Sequence, residues 1–365
     1  MYQRKSDGLW CEKVGNGKVI AAKTQKALIA KLKAYNTVTE NGYTIKEALE
    51  LWEKSKEQTV SYKTLEGYKA PIKRINKAFG DFYAKDVTPA QVQALINDIA
   101  KHGYKVSTVK RPLHILSMLF DWLITQPNSV VTSNPCTSVK TPQKLTQGRR
   151  ELADETDICR IKNGTELDFG LFAYLLLYTG LRKGEALALT YNDFDFDNDI
   201  IRVNKSVSWQ TNKPIIKEPK TESGNRDIIL LSQLKEQLPK KWKGYLFSAD
   251  GGKTPLTQIQ FRHRWDGYCK SAGLCDITYE EHINPNNKHK YVKTIYKSRV
   301  VPHQLRHEFA TICLDAGLDE IDTQEIMGHA SINTTHAIYQ HIKESRREKT
   351  TNKLQNYLNG TLEVQ

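Results

Sequence analysis

The stretch DFGLFAYLLLYTGLRKGEALAL, residues 168–189, joins a wholly apolar segment to a single arginine at a glycine turn. Residues 169–181 carry no charged side chain, and a helix that is apolar on all sides belongs in the core of a sizeable domain. Gly180 predicts the end of that helix, and Arg182 stands where the next helix begins. Such an arginine is either a helix-terminal ion pair or a functional group, and this stretch alone leaves both open.

The net charge of +13 over 365 residues is concentrated toward the N-terminus. Residues 1–36 carry eight Lys/Arg and two Asp/Glu, residues 37–145 carry fifteen and ten, and residues 146–365 carry thirty-one and twenty-nine. The first 145 residues therefore hold +11 of the +13. Clustered basic residues indicate a polyanionic partner, usually nucleic acid, although a solvated basic surface explains the charge equally well.

Composition argues against a membrane or secreted protein. No apolar run approaches the length of a membrane span, and the polar N-terminus lacks the apolar core of a signal peptide. A cytoplasmic location is therefore expected. The six cysteines form no CxxC pair, which predicts free thiols in a reducing compartment rather than a zinc site or a disulfide framework. They are Cys11, Cys136, Cys159, Cys269, Cys275 and Cys313.

Local signals predict a mainly α chain with small β-sheets, divided into four parts. Residues 1–36 read as two or three short strands and a helix capped by Thr24, followed by a linker at 37–41. Residues 43–126 read as an all-helical domain, with capping boxes that start at Thr44 and Thr88. Residues 127–150 have the Pro, Ser, Thr and basic composition of an interdomain linker. Residues 151–365 read as an α+β domain that contains one small antiparallel sheet.

Five short motifs in the C-terminal half carry residues suited to chemistry on phosphate. TGLRKGE holds Arg182, PKTESGNR holds Lys220, and HQLRH holds His303 and Arg306 on one helical face. MGHAS supplies His329, and AIYQHI supplies Tyr339. Each residue taken singly is more often structural: an ion pair, a polar turn, a packed tyrosine. Their conjunction in this order is much less expected by chance.

These motifs resemble those of a tyrosine recombinase of the phage and conjugative-transposon integrase group, similar in layout to lambda integrase. The resemblance covers essentially the whole chain. It implies a small arm-site DNA-binding module at 1–36, a helical core-binding domain at 43–126 and a catalytic domain at 151–365. It also implies a site-specific recombinase that integrates and excises a mobile element through a 3′-phosphotyrosyl intermediate. The lysine is the weakest correspondence, because Lys217 lies in the same connection as Lys220.

The chemistry of these residue types agrees with the roles that the resemblance implies. Guanidinium forks match the two non-bridging oxygens of a phosphodiester, which suits Arg182 and Arg306. Tyr339 must lose a proton as it attacks, and His303 is suited to accept it. The resemblance assigns protonation of the 5′-oxygen to Lys220 and a phosphate hydrogen bond to His329. Glu185 and His307 are expected to support the pocket from behind.

A metal site is the main alternative for the histidines. His303 and His307 have the i, i+4 spacing that a zinc site can use, but HQLRH is not HExxH and places an arginine beside the would-be cation. We therefore expect no metal and no cofactor. His336 and His341 are expected to be surface neighbours of Tyr339.

The resemblance implies DNA partners along the rest of the chain. Candidate backbone contacts are Lys63, Lys69, Lys73, Arg74, Lys110, Arg111, Lys140 and Lys144, each of which is otherwise a solvated basic residue. The basic run 282–299 is also expected near phosphate. The segment after Tyr339 is expected to dock on a neighbouring copy in a tetramer on core- and arm-site DNA, with a host DNA-bending protein and an excisionase as possible accessories.

Two other functions share some of these features. A type IB topoisomerase-like DNA-relaxing enzyme would use the same chemistry, but the N-terminal module argues against it. A DNA-binding regulator with a decayed catalytic site is opposed by the complete set of motif residues.

Overall fold

The computed structural model describes most of the chain and divides it into two compact units, residues 1–149 and 150–365. The described residues are 1–14, 18–127, 129–145, 152–219, 224–283, 289–328, 331–333, 335–340, 342, 343, 347, 351 and 355, with backbone alone for 33–39. The prediction of a mainly helical chain with small β-sheets is confirmed.

The first unit begins with a three-stranded antiparallel sheet in the order β1-β2-β3, followed by helix α1. The bounds are Tyr2–Gln3 (β1), Trp10–Lys13 (β2), Val19–Ala22 (β3) and Gln25–Asn41 (α1). The Thr24 hydroxyl accepts a hydrogen bond from the Ala27 N–H at 3.2 Å, so the predicted cap is present. The sequence GNG at 15–17, a hairpin-turn signal between the second and third strands, lies outside the described residues.

Helix α1 is longer than the sequence predicts. It continues through residues 37–41, which were expected to be a linker, so that expectation is wrong. The stretch contains neither glycine nor proline, and its Thr and Val residues disfavour a helix only weakly. Gly42, with a φ of +75°, is the first residue that breaks the helical backbone.

Four further helices complete the first unit: Ile45–Glu57 (α2), Tyr62–Phe79 (α3), Pro89–Lys101 (α4) and Val106–Ile124 (α5). Both predicted capping boxes form, with Thr44 paired to Glu47 and Thr88 paired to Gln91. Trp52 is fully buried between the helices, and its ring lies 5.4 Å from that of Tyr68. Burial of such apolar side chains contributes about 1.5–3 kcal/mol each.

Much of the segment expected to link the two domains packs on this helical unit instead. Val131 and Cys136 are buried in its core. The Asn134 side-chain amide donates to Asp121 at 2.7 Å. Gln93 forms reciprocal side-chain bonds with the backbone N–H and carbonyl of Lys140, both at 2.9 Å. Residues 129–145 are therefore built into the unit by side-chain contacts.

The described part of the second unit includes seven named helices and seven strands, and residues 335–340 are helical as well. The helices are Glu155–Lys162 (α6), Gly170–Thr179 (α7), Lys183–Ala188 (α8), Ser232–Gln237 (α9), Gln258–Ser271 (α10), Pro302–Asp315 (α11) and Glu320–Met327 (α12). The strands are Phe194–Asp195 (β4), Ile200–Val203 (β5), Ser206–Gln210 (β6), Lys213–Lys217 (β7), Arg226–Ile229 (β8), Cys275–Ile283 (β9) and Lys290–Ser298 (β10).

Helix α7 is the centre of this unit, as its apolar sequence predicts. Nearly all of its side chains are buried. It packs against α11 and leads through Gly180 to α8. Gly180 has a φ of +63°, and a Cβ there would lie 2.3 Å from the Phe309 ring. The glycine therefore lets α7 and α11 approach closely enough to bring Arg182 and Arg306 into one region.

The predicted single antiparallel sheet is instead two separate ones. Strands β4, β5 and β8 form a three-stranded sheet, while β6 and β7 pair only with each other. Strand β6 packs on α8, where the Val207 carbonyl would lie 2.5 Å from a Cβ at Gly184. This helix contact draws β6 out of the first sheet, an effect that strand patterning does not reveal.

A third sheet, the hairpin of β9 and β10, has no counterpart in the sequence-based expectations. Nine residue pairs join its strands. Lysines from the predicted basic run at 282–299 lie opposite acids on β9: Lys293 faces Glu280, and Lys297 faces Asp276. The strand lysines of the run are therefore matched by acids across the hairpin, while its expected position near phosphate stays a prediction. In the described part of the chain, no helix has the length and apolar content needed to cross a membrane.

We expect Gly180→Ala to destabilise the second unit strongly. The positive φ costs about 1–2 kcal/mol for an L-residue, and the Phe309 contact adds roughly 1–3 kcal/mol of overpacking. The control is Gly251→Ala, which has a φ of +74° but no atom within 4 Å of the added Cβ. Urea unfolding measures the free energy of unfolding of both variants, and the difference between them reports the contact with Phe309. Equal losses of stability in the two variants would contradict the close approach of α7 and α11.

Candidate active site

Arg182 is the N-cap residue of helix α8, and hydrogen bonds hold both its backbone and its side chain. Its backbone N–H donates to the Glu185 carboxylate at 3.0 Å, and its Nη1 donates to the other oxygen of that carboxylate at 2.7 Å. Its Nη2 donates to the Gly328 carbonyl at 2.8 Å. The side chain is 43% exposed. Arg182 is therefore fixed in orientation and still accessible to a ligand.

Glu185 is the only carboxylate in contact with this arginine among the described residues, and its side chain is only 8% exposed. It also pairs with Arg226 Nη2 at 3.0 Å. Burial by itself raises the pKa of Glu185, but the charges and hydrogen bonds of Arg226 and then Arg182 outweigh it and lower the pKa below its ordinary value. Glu185 is therefore an ionised, buried anchor for two guanidinium groups.

Arg226 is a site residue that sequence reasoning missed. It opens strand β8 with its side chain 6% exposed, and its Nε donates to the Ile326 carbonyl at 2.8 Å. Its Nη1 is buried with no hydrogen-bond partner in the described part of the chain. Arg226 alternates with the buried residues Ile228 and Leu230, so strand periodicity carries a signal for an inward-facing arginine.

Arg306 is the most deeply buried member of the cluster, at 2% exposure. Its Nη1 donates to the Gly180 carbonyl, and its Nη2 donates to the Met327 carbonyl at 2.6 Å. Burial, followed by repulsion from Arg182, lowers the pKa of Arg306 to about 9. The group still carries its charge at neutral pH.

The three arginines meet at one structural feature, the C-terminal end of helix α12. Arg226, Arg306 and Arg182 donate to three successive carbonyls, those of residues 326, 327 and 328. Carbonyls at a helix C-terminus lack intrahelical partners and carry partial negative charge. The end of α12 therefore orders three cations that come from β8, α11 and α8.

The cluster retains an excess of positive charge. Three guanidinium groups face one ionised carboxylate, Glu185, and the exposed surface of the cluster is Arg182. Dipolar carbonyls reduce this excess but do not neutralise it. Such a site favours an anion whose geometry matches a planar donor fork, such as a phosphodiester.

Tyr339 lies at the opposite end of α12 from the arginines. Its hydroxyl pairs with Thr323 and donates toward the Leu318 and Asp319 carbonyls at 3.2 and 3.3 Å. Residues 319 and 327 lie about 12 Å apart along a helix axis. Tyr339 is 2% exposed, and burial is the main cause that raises the pKa of its hydroxyl. The described contacts do not bring this hydroxyl to the arginines.

The histidines of the motifs are only partly described. His303 is exposed on the first turn of α11, and its ring contacts that of half-buried His307 with centroids 4.5 Å apart. His336 is exposed and pairs with Glu320 at 2.8 Å. Within the described residues, no group of three or more His, Cys, Asp or Glu side chains is arranged to hold a metal. Lys220, His329 and His341 lie outside the described residues.

The predicted DNA-contacting residues of the first unit differ in their exposure and in the intramolecular contacts of their charged groups. Lys69 is ion-paired with Glu66, and Arg74 stacks 4.7 Å over the Tyr104 ring. All except half-buried Arg74 are exposed: Lys63, Lys69, Lys73, Lys110, Arg111, Lys140 and Lys144.

Two family models match parts of this chain. The model of the phage integrase family matches residues 157–346, and that of the phage integrase N-terminal SAM-like domain matches residues 44–100. The chain is 26% identical over 292 residues to the ICEBs1 integrase of Bacillus subtilis strain 168, a match that covers 78% of this chain and 76% of that protein.

Solved structures share the fold at low sequence identity. The Tn1549 transposon integrase in complex with a circular intermediate DNA has a TM-score of 0.64 and 20% identity, with 83% of this chain and 98% of that chain covered. A lambda integrase tetramer bound to a Holliday junction has a TM-score of 0.56 and 19% identity, with 90% and 95% covered. The chain belongs to the phage integrase family and is a tyrosine recombinase, an enzyme of site-specific DNA recombination.

We expect Glu185→Gln to lower the free energy of unfolding of the second unit by about 3 kcal/mol at pH 7, because it leaves two guanidinium groups without their counter-ion. The folded-state pKa of Glu185 lies below the ordinary 4.5. The ionised carboxylate therefore stabilises the fold above the unfolded pKa, and this contribution is lost as pH falls through the folded pKa. The difference in the free energy of unfolding between wild type and the Glu185→Gln variant should become smaller below pH 4.5.

The matched control is Asp199→Asn, which breaks the exposed pair with Lys235. We expect a change within about 0.5 kcal/mol for this surface pair. Chemical denaturation across the pH range measures both variants. An equal effect of the two substitutions would show that Glu185 is not an anchor.

Proposed function

We propose that this recombinase integrates and excises a mobile genetic element by cutting and rejoining DNA through a 3′-phosphotyrosyl link to Tyr339. The observation that carries the proposal is the excess positive charge of the arginine cluster around Glu185, with one guanidinium, that of Arg182, exposed to a ligand. A phosphodiester gains negative charge on its non-bridging oxygens as it is attacked, so a preformed cationic pocket stabilises that state.

Each motif residue has a proposed part in the reaction. Arg182 contacts a non-bridging oxygen directly, and Arg306 supports it from the buried side of the pocket. His303, exposed at the start of α11, accepts the tyrosine proton. Lys220 protonates the leaving 5′-oxygen, with Lys217 as the alternative. His329 donates a hydrogen bond to the phosphate.

The bond changes balance without any external energy source. The Tyr339 oxygen bonds to phosphorus as the bond from phosphorus to the 5′-oxygen breaks, and the 5′-oxygen takes a proton. The phosphotyrosyl ester keeps the free energy of the broken phosphodiester. A 5′-hydroxyl from the partner strand then attacks the same phosphorus and releases the tyrosine.

Tyr339 must move before it can attack. Its hydroxyl is bonded to Thr323 and to carbonyls at the start of α12, whereas the arginines hold the end of that helix. We propose that DNA binding releases the tyrosine from these partners. The structure then represents a resting arrangement in which the nucleophile is tied away from the phosphate pocket.

The remaining parts are proposed to hold DNA in the cytoplasm of a bacterial host. Residues 43–126 bind the core site with 151–365, residues 127–150 connect them, and the module at 1–36, with its net charge of +6, binds an arm site. Assembly to a tetramer is supported by the likeness to the lambda integrase tetramer. A host DNA-bending protein and an excisionase are proposed accessories.

The test is covalent capture on a nicked suicide DNA that carries the element's own attachment site, with chelator present. Wild type should form a protein–DNA adduct. The yield of adduct should be at least about 1,000-fold lower for Tyr339→Phe, because phenylalanine has no nucleophilic oxygen. Tyr191→Phe, an exposed tyrosine in the same unit, is the matched control and should react as wild type. An adduct that persists in Tyr339→Phe would refute the assignment.

Thr323→Val should speed adduct formation. It removes one hydrogen bond that retains the Tyr339 hydroxyl, worth about 1 kcal/mol or roughly a fivefold rate. Single-turnover cleavage measures the effect at saturating DNA, and exposed Thr278→Val is the control. A slower variant would mean that Thr323 assists the attack and does not retain the tyrosine.

A further inference from the structure

The hairpin of β9 and β10 exposes an unusual amount of apolar surface. Its two nine-residue strands form an arm about 30 Å long. Six large apolar side chains on it are between 42% and 71% exposed. One of them, Tyr291, lies on one side of the hairpin, and the other five share the opposite side. These residues, here called the apolar hairpin face, are Ile277, Tyr279, Ile283, Val292 and Tyr296.

Strand register places all five on the same side. Ile277 lies opposite Tyr296, while Val292 faces Glu281 two residues beyond Tyr279. Side chains alternate between the two sides of a strand, so residues two apart share a side. The other side carries the charged pairs Glu280–Lys293 and Asp276–Lys297, with one exposed aromatic residue, Tyr291. The hairpin is thus amphipathic, with its apolar side facing solvent.

The charge of the hairpin argues against DNA as the occupant of this face. The two strands contain three acids and three lysines and so have no net charge. On the apolar face itself, Glu281 and Lys290 also balance. A duplex is bound mainly by basic residues that neutralise phosphates, which this face does not offer. An apolar surface of this kind fits protein.

The base of the hairpin is fixed to the body of the second unit. Arg299, next to β10, forms two hydrogen bonds with the buried Asp157 carboxylate at 2.7 and 2.9 Å and one with the Gly273 carbonyl at 2.8 Å. The Lys270 ammonium lies 4.2 Å from the Tyr296 ring centroid. The arm is therefore preorganised, which lowers the ordering cost of docking.

We propose that the apolar hairpin face docks on a second copy of this chain bound at the neighbouring DNA site. The proposal rests on the proposed function, since strand exchange requires copies on adjacent sites. A second copy is then the protein surface that DNA places within reach of a 30 Å arm in every reacting complex.

The size of the face explains why DNA is needed for docking. Five side chains exposed to this extent present on the order of 500 Å² of apolar surface, at the upper end for a monomer. A stable interface typically buries about 800 Å² on each partner. The contact is therefore weak between free copies and becomes effective when DNA raises their local concentration to about the millimolar range.

The experiment compares DNA with one half-site and DNA with two inverted half-sites from the element's attachment site. The test variant combines Tyr279→Ser with Val292→Ser, and the control combines Glu280→Ser with Lys293→Ser on the opposite side. Neither changes net charge. Gel-shift titration in a Tyr339→Phe background, which prevents cleavage, measures affinity for each DNA.

The test variant should bind one half-site within about twofold of the parent and lose at least about tenfold in two-site cooperativity, equivalent to 1.4 kcal/mol. The control variant should keep the parent's affinity for one half-site and its cooperativity on two half-sites. Unchanged cooperativity in the test variant overturns the proposal, and so does weakened one-site binding, which would place the face on DNA. Adduct formation by wild type on one half-site reports the proposed function separately.

A second measurement does not depend on a disruptive variant. A benzophenone side chain at position 279 should crosslink two protein chains on two-site DNA but not on one-site DNA. A crosslink to DNA, or to a different protein from a host extract in place of the second copy, overturns the proposal.

Discussion

Three arginines bonded to three successive carbonyls at the end of helix α12 hold the site of this recombinase together. Arg182, Arg226 and Arg306 come from distant parts of the sequence, and each contributes a bond to residues 326–328. Glu185 joins two of them from the other side. Like charges this close repel, so the cluster depends on these anionic and dipolar partners. The cluster is therefore cationic in its own right, which is the preorganisation that the proposed electrostatic role in catalysis requires.

Helix α12 and the residues before it also hold Tyr339, the proposed nucleophile. Its first turn and the residues before it hold the Tyr339 hydroxyl, and its last carbonyls hold the arginines. A shift of this short helix would therefore change both the phosphate pocket and the tyrosine. Such a connection gives a physical route by which phosphate binding and release of the tyrosine can depend on each other.

The sequence predicts those features that are encoded locally. The capping boxes at Thr44 and Thr88 and the apolar helix α7 form as expected, because side-chain chemistry within a few residues determines them. The motif order also identified Arg182, Arg306 and Glu185, which the fold brings into one cluster. The hydrogen bonds of the Tyr339 hydroxyl could not be predicted, because its partners lie 16 to 21 residues away in the sequence.

Features that depend on tertiary contacts escaped prediction. Arg226 opens a strand in the sequence, and only packing shows that its side chain reaches Glu185. Strand β6 leaves the first sheet because α8 contacts it. The lysines of the run 282–299 lie opposite acids of β9, a pairing that cannot be read from one strand. Patterns of charge, strand and helix in the sequence are local. The residues that a side chain contacts and the strand that a strand pairs with are determined by the tertiary fold.

Tyr339 is the residue proposed to carry the DNA during the reaction. The most direct measurement is mass spectrometry of the trapped adduct after nuclease and protease digestion. We expect one modified peptide containing Tyr339, with a nucleotide 3′-phosphate on that tyrosine. A nucleotide on any other residue, or only free DNA ends after cleavage, would contradict it.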